Sequence, residues 1–116
     1  MTDFTLLQCR PCRKDTPPLP RPQAEAWLAS VPGWRLSADG LSLEREFLMK
    51  DFSSAVDFIR RMAEVADSED HHPDFHLTGY RRLAVVLSTH AIGGLSENDF
   101  ILAAKIEALP KALKTP

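Results

Sequence analysis

Apolar and polar residues alternate along Trp34-Arg35-Leu36 and again along Leu41-Ser42-Leu43-Glu44-Arg45-Glu46-Phe47-Leu48-Met49, with Ala38-Asp39-Gly40 supplying turn residues between the runs. A period of two sends successive side chains to opposite faces of a strand, so this stretch predicts a β-hairpin. The same period returns in Phe75, Leu77 and then Leu83, Val85, Leu87, on either side of Thr78-Gly79-Tyr80. Two further strands are predicted there, antiparallel to each other.

Between the hairpins the period lengthens. Asp51 stands as an N-cap before Phe52, Val56, Ile59, Ala63 and Ala66, whose i, i+4, i+7, i+11, i+14 spacing predicts a helix with one apolar face. The acidic run Asp67 to Asp70 marks its end, and Pro73 stops any continuation. From Pro22 onward, Gln23 to Ala29 are rich in helix formers and Val31-Pro32-Gly33 ends them, which predicts a short first helix. Gly93-Gly94 breaks the chain before Ser96-Glu97-Asn98-Asp99, a capping-box pattern, and Leu102, Ile106, Leu109 and Leu113 then line a last helix that Pro110 ends or kinks.

Upstream, Pro11, Pro17, Pro18 and Pro20 forbid a regular helix or a central strand. Residues 1–21 are therefore expected to form a Pro-rich N-terminal segment, and residues 22–116 one domain. The order helix, two strands, helix, two strands, helix predicts an α+β fold: a two-layer sandwich with a four-stranded antiparallel sheet and about three helices on one face. The edges of so small a sheet invite self-pairing, so a homodimer or homotetramer is expected.

Charge narrows the choice of partners. Fourteen basic and sixteen acidic side chains leave a formal charge of −2, which is no field for holding a polyanion and argues against nucleic acid as the main ligand. The first residues lack the basic start and apolar run of a secretory signal, and no stretch approaches the ~18 apolar residues that span a bilayer. A cytoplasmic location with no membrane contact is expected. Cys9 and Cys12 form a single C-x-x-C with no second pair to complete a zinc site, and are expected to be reduced thiols with a local role.

Chemistry concentrates at the ends of elements. His71 and His72 fall where the long helix gives way to a strand, and His90 at the end of the last strand. Those ends converge if the two strands pair. Histidine donates and accepts protons near neutral pH, so such a cluster beside Asp67, Glu69, Asp70 and Asp99 suits acid/base work. Plainer readings stand beside this one. His-His-Pro also suits a helix dipole and a turn, Asp99 suits a helix cap as the fourth residue of Ser96-x-x-Asp99, His76 alternates onto a solvated face, and Trp34 suits a core.

An acidic residue, three residues, His-His-Pro, an aromatic, nine residues, His and a later Asp appear as Asp67, His71-His72-Pro73, Tyr80, His90 and Asp99. Around them stand Gly33-Trp34, Lys50-Asp51-Phe52, Ser88-Thr89-His90, Gly94-Leu95-Ser96 and Asn98-Asp99. In these segments the chain resembles the pterin-4a-carbinolamine dehydratase family over roughly residues 15–112, and Cys9-Arg10-Pro11-Cys12 is similar to its bacterial branch. Asp67 stands where many members carry Glu, and six residues separate Pro73 from Tyr80 where five is also found.

The resemblance implies a hydro-lyase, without a cofactor or metal, that dehydrates 4a-hydroxytetrahydrobiopterin to quinonoid dihydropterin in tetrahydrobiopterin regeneration, linked to a pterin-dependent aromatic amino-acid hydroxylase. It implies His71, His72 and His90 as catalytic residues, and Asp67, Asp70, Ser88, Thr89 and Trp34, with the histidines, as substrate-binding. Asp99 would orient His90 or another site histidine. Animal members also stabilise dimers of a homeodomain transcription factor, so the alternative is a non-catalytic protein-binding module. A mononuclear zinc hydrolase is a further rival, but adjacent His71 and His72 in an extended segment point apart.

Overall fold

The computed structural model describes residues 3–11 and 15–115. Three helices and four strands follow in the order α1 (Arg21–Trp27), β1 (Arg35–Leu36), β2 (Leu43–Leu48), α2 (Phe52–Glu69), β3 (Asp74–Thr78), β4 (Arg82–Leu87) and α3 (Glu97–Ala108). The strands form one antiparallel sheet in the order β1-β2-β4-β3. The α+β fold predicted from the sequence is therefore the one observed.

Alternation decides which face of the sheet is covered. Leu43 and Phe47 of β2 lie opposite Leu87 and Leu83 of β4, and Phe75 and Leu77 of β3 lie opposite Val85 and Leu83. These side chains join the core, whereas Glu46, His76 and Arg82 on the intervening positions are exposed. Arg45 shares the covered face at its margin, where its guanidinium lies 4.3 Å above the Phe47 ring and pairs with Glu107 of α3 at 2.7 Å.

Asp51 caps α2 as expected, accepting a hydrogen bond from the Ser54 N–H at 2.8 Å. Its core-facing stripe is Ala55, Phe58, Met62 and Ala66, one helical step away from the stripe predicted. Phe52 and Val56 are 55% and 46% exposed, and only Ala66 of the predicted set is fully buried, although Ile59 packs against the core. Phe58 stands edge-on to Phe47 at 5.0 Å, which locks α2 to the sheet.

Helix α3 is buried nearly all round, from Phe100 through Ala104 and again at Ile106, so no single stripe describes it. It ends at Ala108, two residues before Pro110, and Leu113 lies beyond it, 40% exposed. The packed core also begins well before residue 22, where the domain was expected to start. Phe4 is 1% exposed and sits in an aromatic cluster with Trp27 at 5.3 Å and Phe100 at 5.8 Å. Residues 3–11 thus form a strap lying on the domain. Cys12, the second cysteine of the C-x-x-C, lies outside the described residues.

Candidate active site

Helix α2 ends by reversing its backbone. Asp70 takes the left-handed conformation at φ 53° and ψ 42°, its N–H bonds back to Ala66 and Asp67, and the His71 N–H donates to the Ala66 carbonyl at 3.2 Å. This is a Schellman-type close, and Asp is among the few non-glycine residues that adopt the conformation readily. His71 and His72 follow the reversal directly, and Pro73 leads into β3.

Strand register brings the third histidine alongside. Asp74 at the start of β3 pairs with Val86 near the end of β4, so residues 71–73 lie beside the chain leaving β4. That chain forms a small closed loop, in which the Thr89 N–H donates to the Gly94 carbonyl at 2.8 Å and the Gly94 N–H returns to Thr89 at 3.4 Å. His90 opens a single 3-10 turn inside the loop, and Gly93 closes the turn at φ 65°. Gly94 leaves no room for a side chain, since a Cβ there would stand 2.8 Å from the Pro18 Cβ.

One buried carboxylate ties these pieces together. Asp99 is fully buried, and its Oδ1 lies 2.6 Å from His71 Nε2. Its Oδ2 accepts from the Thr89 hydroxyl at 2.8 Å and from the Ser96 N–H at 2.9 Å. Ser96 returns the capping-box bond at the start of α3. One side chain therefore both closes the capping box of α3 and contacts a histidine. That histidine is His71. An ionised carboxylate only accepts, so the proton of a neutral His71 is assigned to Nε2 and Nδ1 is left as its basic nitrogen. His72 Nε2 contacts Asp67 Oδ1 at 3.0 Å on the exposed side, and His90 is exposed.

The three histidines line one cavity of about 500 Å³, a volume that suits a small organic ligand. The last residues of α2 and the turn after it, Ser68 to His72, form one wall and residues 88–91 another. Cys9, Arg10 and Pro11 of the strap and Asn98 of α3 complete it. The strap is held here by Glu69, whose Oε2 accepts the Cys9 N–H at 2.9 Å while Oε1 pairs with Lys105. Burial alone would raise the Glu69 carboxyl, but the Lys105 ammonium and the Cys9 N–H outweigh it and hold it below its ordinary value. The Cys9 thiol is pushed up to about 12, by burial first and then by the neighbouring Glu69 charge, so it is a neutral wall rather than a nucleophile.

Of the residues singled out from sequence, Asp70, His71, His72, Ser88, Thr89 and His90 all line the cavity. Trp34, expected from the resemblance to bind substrate, does not: it is 5% exposed and packs within the core. Asp67 does not line the cavity either, its side chain being 77% exposed and turned to His72. Glu69, one of the acidic residues expected beside the histidines, also lines the cavity, whereas Arg10 and Asn98 were not singled out for it. The only signal of those two in the sequence is the family-like character of the segments that hold them.

A cavity with three imidazoles, one of them fixed by a buried carboxylate, on a helix-covered antiparallel sheet defines a site equipped for proton transfer on a small molecule. Residues 17–109 match the family model described as pterin 4 alpha carbinolamine dehydratase, and the chain belongs to that family. It is 45% identical over 112 residues to a protein of Arabidopsis thaliana named pterin-4-alpha-carbinolamine dehydratase 2, mitochondrial, spanning 94% of this chain but only 60% of that relative's length. A relative from Halorhodospira halophila bearing the family's name is 48% identical over 109 residues, covering 94% of this chain and 96% of its own. Among solved structures, a protein from Brucella melitensis described as a transcriptional coactivator/pterin dehydratase superposes with a TM-score of 0.73 at 33% identity, covering 78% of this chain and 96% of that one. A pterin dehydratase-like protein described as a RuBisCO assembly factor shares the fold at a TM-score of 0.56 and 19% identity, over 66% of this chain and 87% of its own.

Proposed function

We propose that the cavity dehydrates 4a-hydroxytetrahydrobiopterin to quinonoid dihydropterin and water, a hydro-lyase reaction run by histidine acid/base chemistry. The observation that carries this reading is the meeting of His71, His72 and His90 in one cavity, with Asp99 at 2.6 Å from His71, in a chain of this family. Hydroxide is a poor leaving group, so the 4a-oxygen must gain a proton as its bond to C4a breaks. N5 must lose its proton as the C4a=N5 bond forms. One protonated and one neutral imidazole therefore suffice, and the pair is reset when the proton taken from N5 replaces the one given to the leaving water.

In this scheme His71, with its free Nδ1, accepts the N5 proton and His90 protonates the hydroxyl. His72 assists and positions the pterin, while Asp70, Ser88 and Thr89 hydrogen-bond the ring and the cavity's backbone. No cofactor is required by the chemistry. The reaction serves tetrahydrobiopterin regeneration after a pterin-dependent aromatic amino-acid hydroxylase, in the cytoplasm, in a homodimer or homotetramer formed through the uncovered sheet. Among the described residues no helix is long and apolar enough to cross a membrane.

The test is the decay of chemically generated 4a-hydroxytetrahydropterin, followed by stopped-flow absorbance at neutral pH, for wild type, His71→Ala and His90→Ala. Fast wild-type decay slowed by about 10²-fold or more in either variant supports the reading. Decay no faster than buffer in folded wild type refutes it and favours a protein-binding module.

A further inference from the structure

The cavity's remaining wall comes from a part of the chain that lies outside the family-matched residues 17–109. The strap is fixed at both ends. Phe4 plugs it into the core near its start, and at its far end Asn98 grips Arg10 by both backbone groups. Asn98 Oδ1 accepts the Arg10 N–H at 2.9 Å, and Asn98 Nδ2 donates to the Arg10 carbonyl at 2.6 Å. The Arg10 backbone is thereby held to the first turn of α3, next to the Asp99 that orients His71.

What this anchoring presents is a cation. Arg10 lines the cavity and also a smaller depression beside it, it is exposed, and among the described residues its guanidinium has no ion-pair partner. Of the carboxylates that share a lining with Arg10, Glu69 pairs with Lys105, while Glu97, beside it in a second, smaller depression, makes no ion pair among the described residues. Of the two carboxylates lining the cavity, Asp70 has no side-chain ion pair among the described residues. A guanidinium stays charged at every physiological pH, and its planar fork matches a carboxylate or a phosphate with two parallel hydrogen bonds.

We infer that Arg10 is a specificity-determining residue that binds an anionic group, carboxylate or phosphate, on the 6-substituent of the pterin, and that Asn98 is the positioning residue that holds it there. The inference rests on the reading of the cavity as a pterin site. It extends the substrate class from pterins with neutral hydroxylated side chains to those with an acidic tail. The bicyclic ring would occupy the histidine end, and the substituent would leave through the opening past Arg10.

Dissociation constants measured by quenching of protein fluorescence test it, using full-length wild type, Arg10→Ala, Arg10→Lys and Asn98→Ala. The probes are 6-hydroxymethyl-7,8-dihydropterin, its phosphate ester, and dihydrofolate, whose tail carries carboxylates. Wild type should bind at least one acidic probe about tenfold more tightly than the neutral one, with the preference shrinking as salt is added. Which acidic probe gains identifies phosphate or carboxylate as the group read. Arg10→Ala should bring the ratio to within about twofold, Arg10→Lys should keep part of it, and Asn98→Ala should lower it although the guanidinium remains. Equal wild-type affinity for all three probes, or a preference that survives Arg10→Ala, overturns the inference while leaving the pterin site intact. Failure of wild type to bind any of the pterins overturns the pterin reading itself. Arg10 is exposed, so Arg10→Ala keeps its fold and remains decisive even if Asn98→Ala, at a buried position, does not.

Discussion

Asp99→Asn keeps the shape of the buried side chain and removes its charge, which separates the two duties of this residue. The amide oxygen can still accept from the Thr89 hydroxyl and the Ser96 N–H, at the 2.8 and 2.9 Å where Oδ2 stands now. The amide nitrogen is then left facing His71 Nε2 at 2.6 Å, donor against donor, unless the imidazole moves its proton to Nδ1. That move removes the basic nitrogen on which the proposed reaction draws. Loss of charge assistance at three hydrogen bonds should cost about 2–3 kcal/mol of stability. For a domain of this size that corresponds to a fall in Tm of about 8–12 °C. The catalytic loss should be about 10²-fold in kcat, similar in free energy to the loss of stability and the usual worth of a correctly protonated general base. Stopped-flow decay of the carbinolamine, measured well below the variant's Tm, gives kcat, and the ¹⁵N shifts of the His71 ring report the tautomer. A Tm that falls while kcat stays within about threefold of wild type would refute the assignment, leaving Asp99 as a helix cap alone.

Phe4→Ala should destabilise the protein by about 3 kcal/mol in urea unfolding, because it empties a buried aromatic cluster; a loss under about 1 kcal/mol would show that the strap is not part of the core. Gly94→Ala forces a Cβ to within 2.8 Å of Pro18 and should cost about 1–3 kcal/mol while displacing the loop that carries His90, measured as lower Tm and lower kcat together. In a Cys12→Ser background, Cys9 should alkylate more slowly at pH 8 in the folded protein than in urea, since its thiol is raised in the fold from 9.0 to about 12; the stability this contributes is complete below pH 9 and is lost as pH climbs toward 12. Glu69 has the opposite sign: its lowered carboxyl stabilises the strap above the ordinary carboxylate range and ceases to as pH falls through its folded value. Hydrogen exchange at the Cys9 amide should therefore lose protection in acid before the core does, and simultaneous loss would contradict the reading.

Legibility in the sequence followed how one-sided each element is. β2 and β4 each have a covered face and an open one, so the alternation of Leu43, Phe47, Leu83, Val85 and Leu87 with polar neighbours reports their structure directly. In α2 two apolar rows lie side by side, Phe52-Val56-Ile59-Ala63 and Ala55-Phe58-Met62-Ala66. Periodicity locates a helix but does not say which row meets the sheet, and the bulk of Phe52 and Val56 pointed to the wrong one. α3 gave no choice of face because it has none. The histidine cluster was readable because it needs only that β3 and β4 pair, a short-range inference. The grip of Asn98 on Arg10 spans 88 positions of sequence, and the burial of Phe4 needs Phe100, so neither leaves a local trace.

The arrangement of Asp99 has a consequence for how the proposed reaction is divided among the histidines. His71 is tied through one carboxylate to the N-terminus of α3, an element whose middle is buried on all sides, so its ring is placed with the rigidity of the core itself. His90 is exposed on a 3-10 turn, and His72 is more than half exposed with its partner Asp67. The proton taken from N5 must replace the one given to the leaving water before the next turnover, so one imidazole must pass its proton on, directly or through water, while another keeps its geometry against the ring. A single buried histidine could satisfy the second demand but not the first, and a surface pair the first but not the second. On the proposed function, the mixture of one core-fixed and two solvent-facing imidazoles follows from the chemistry, with His71 supplying alignment and His90 supplying exchange.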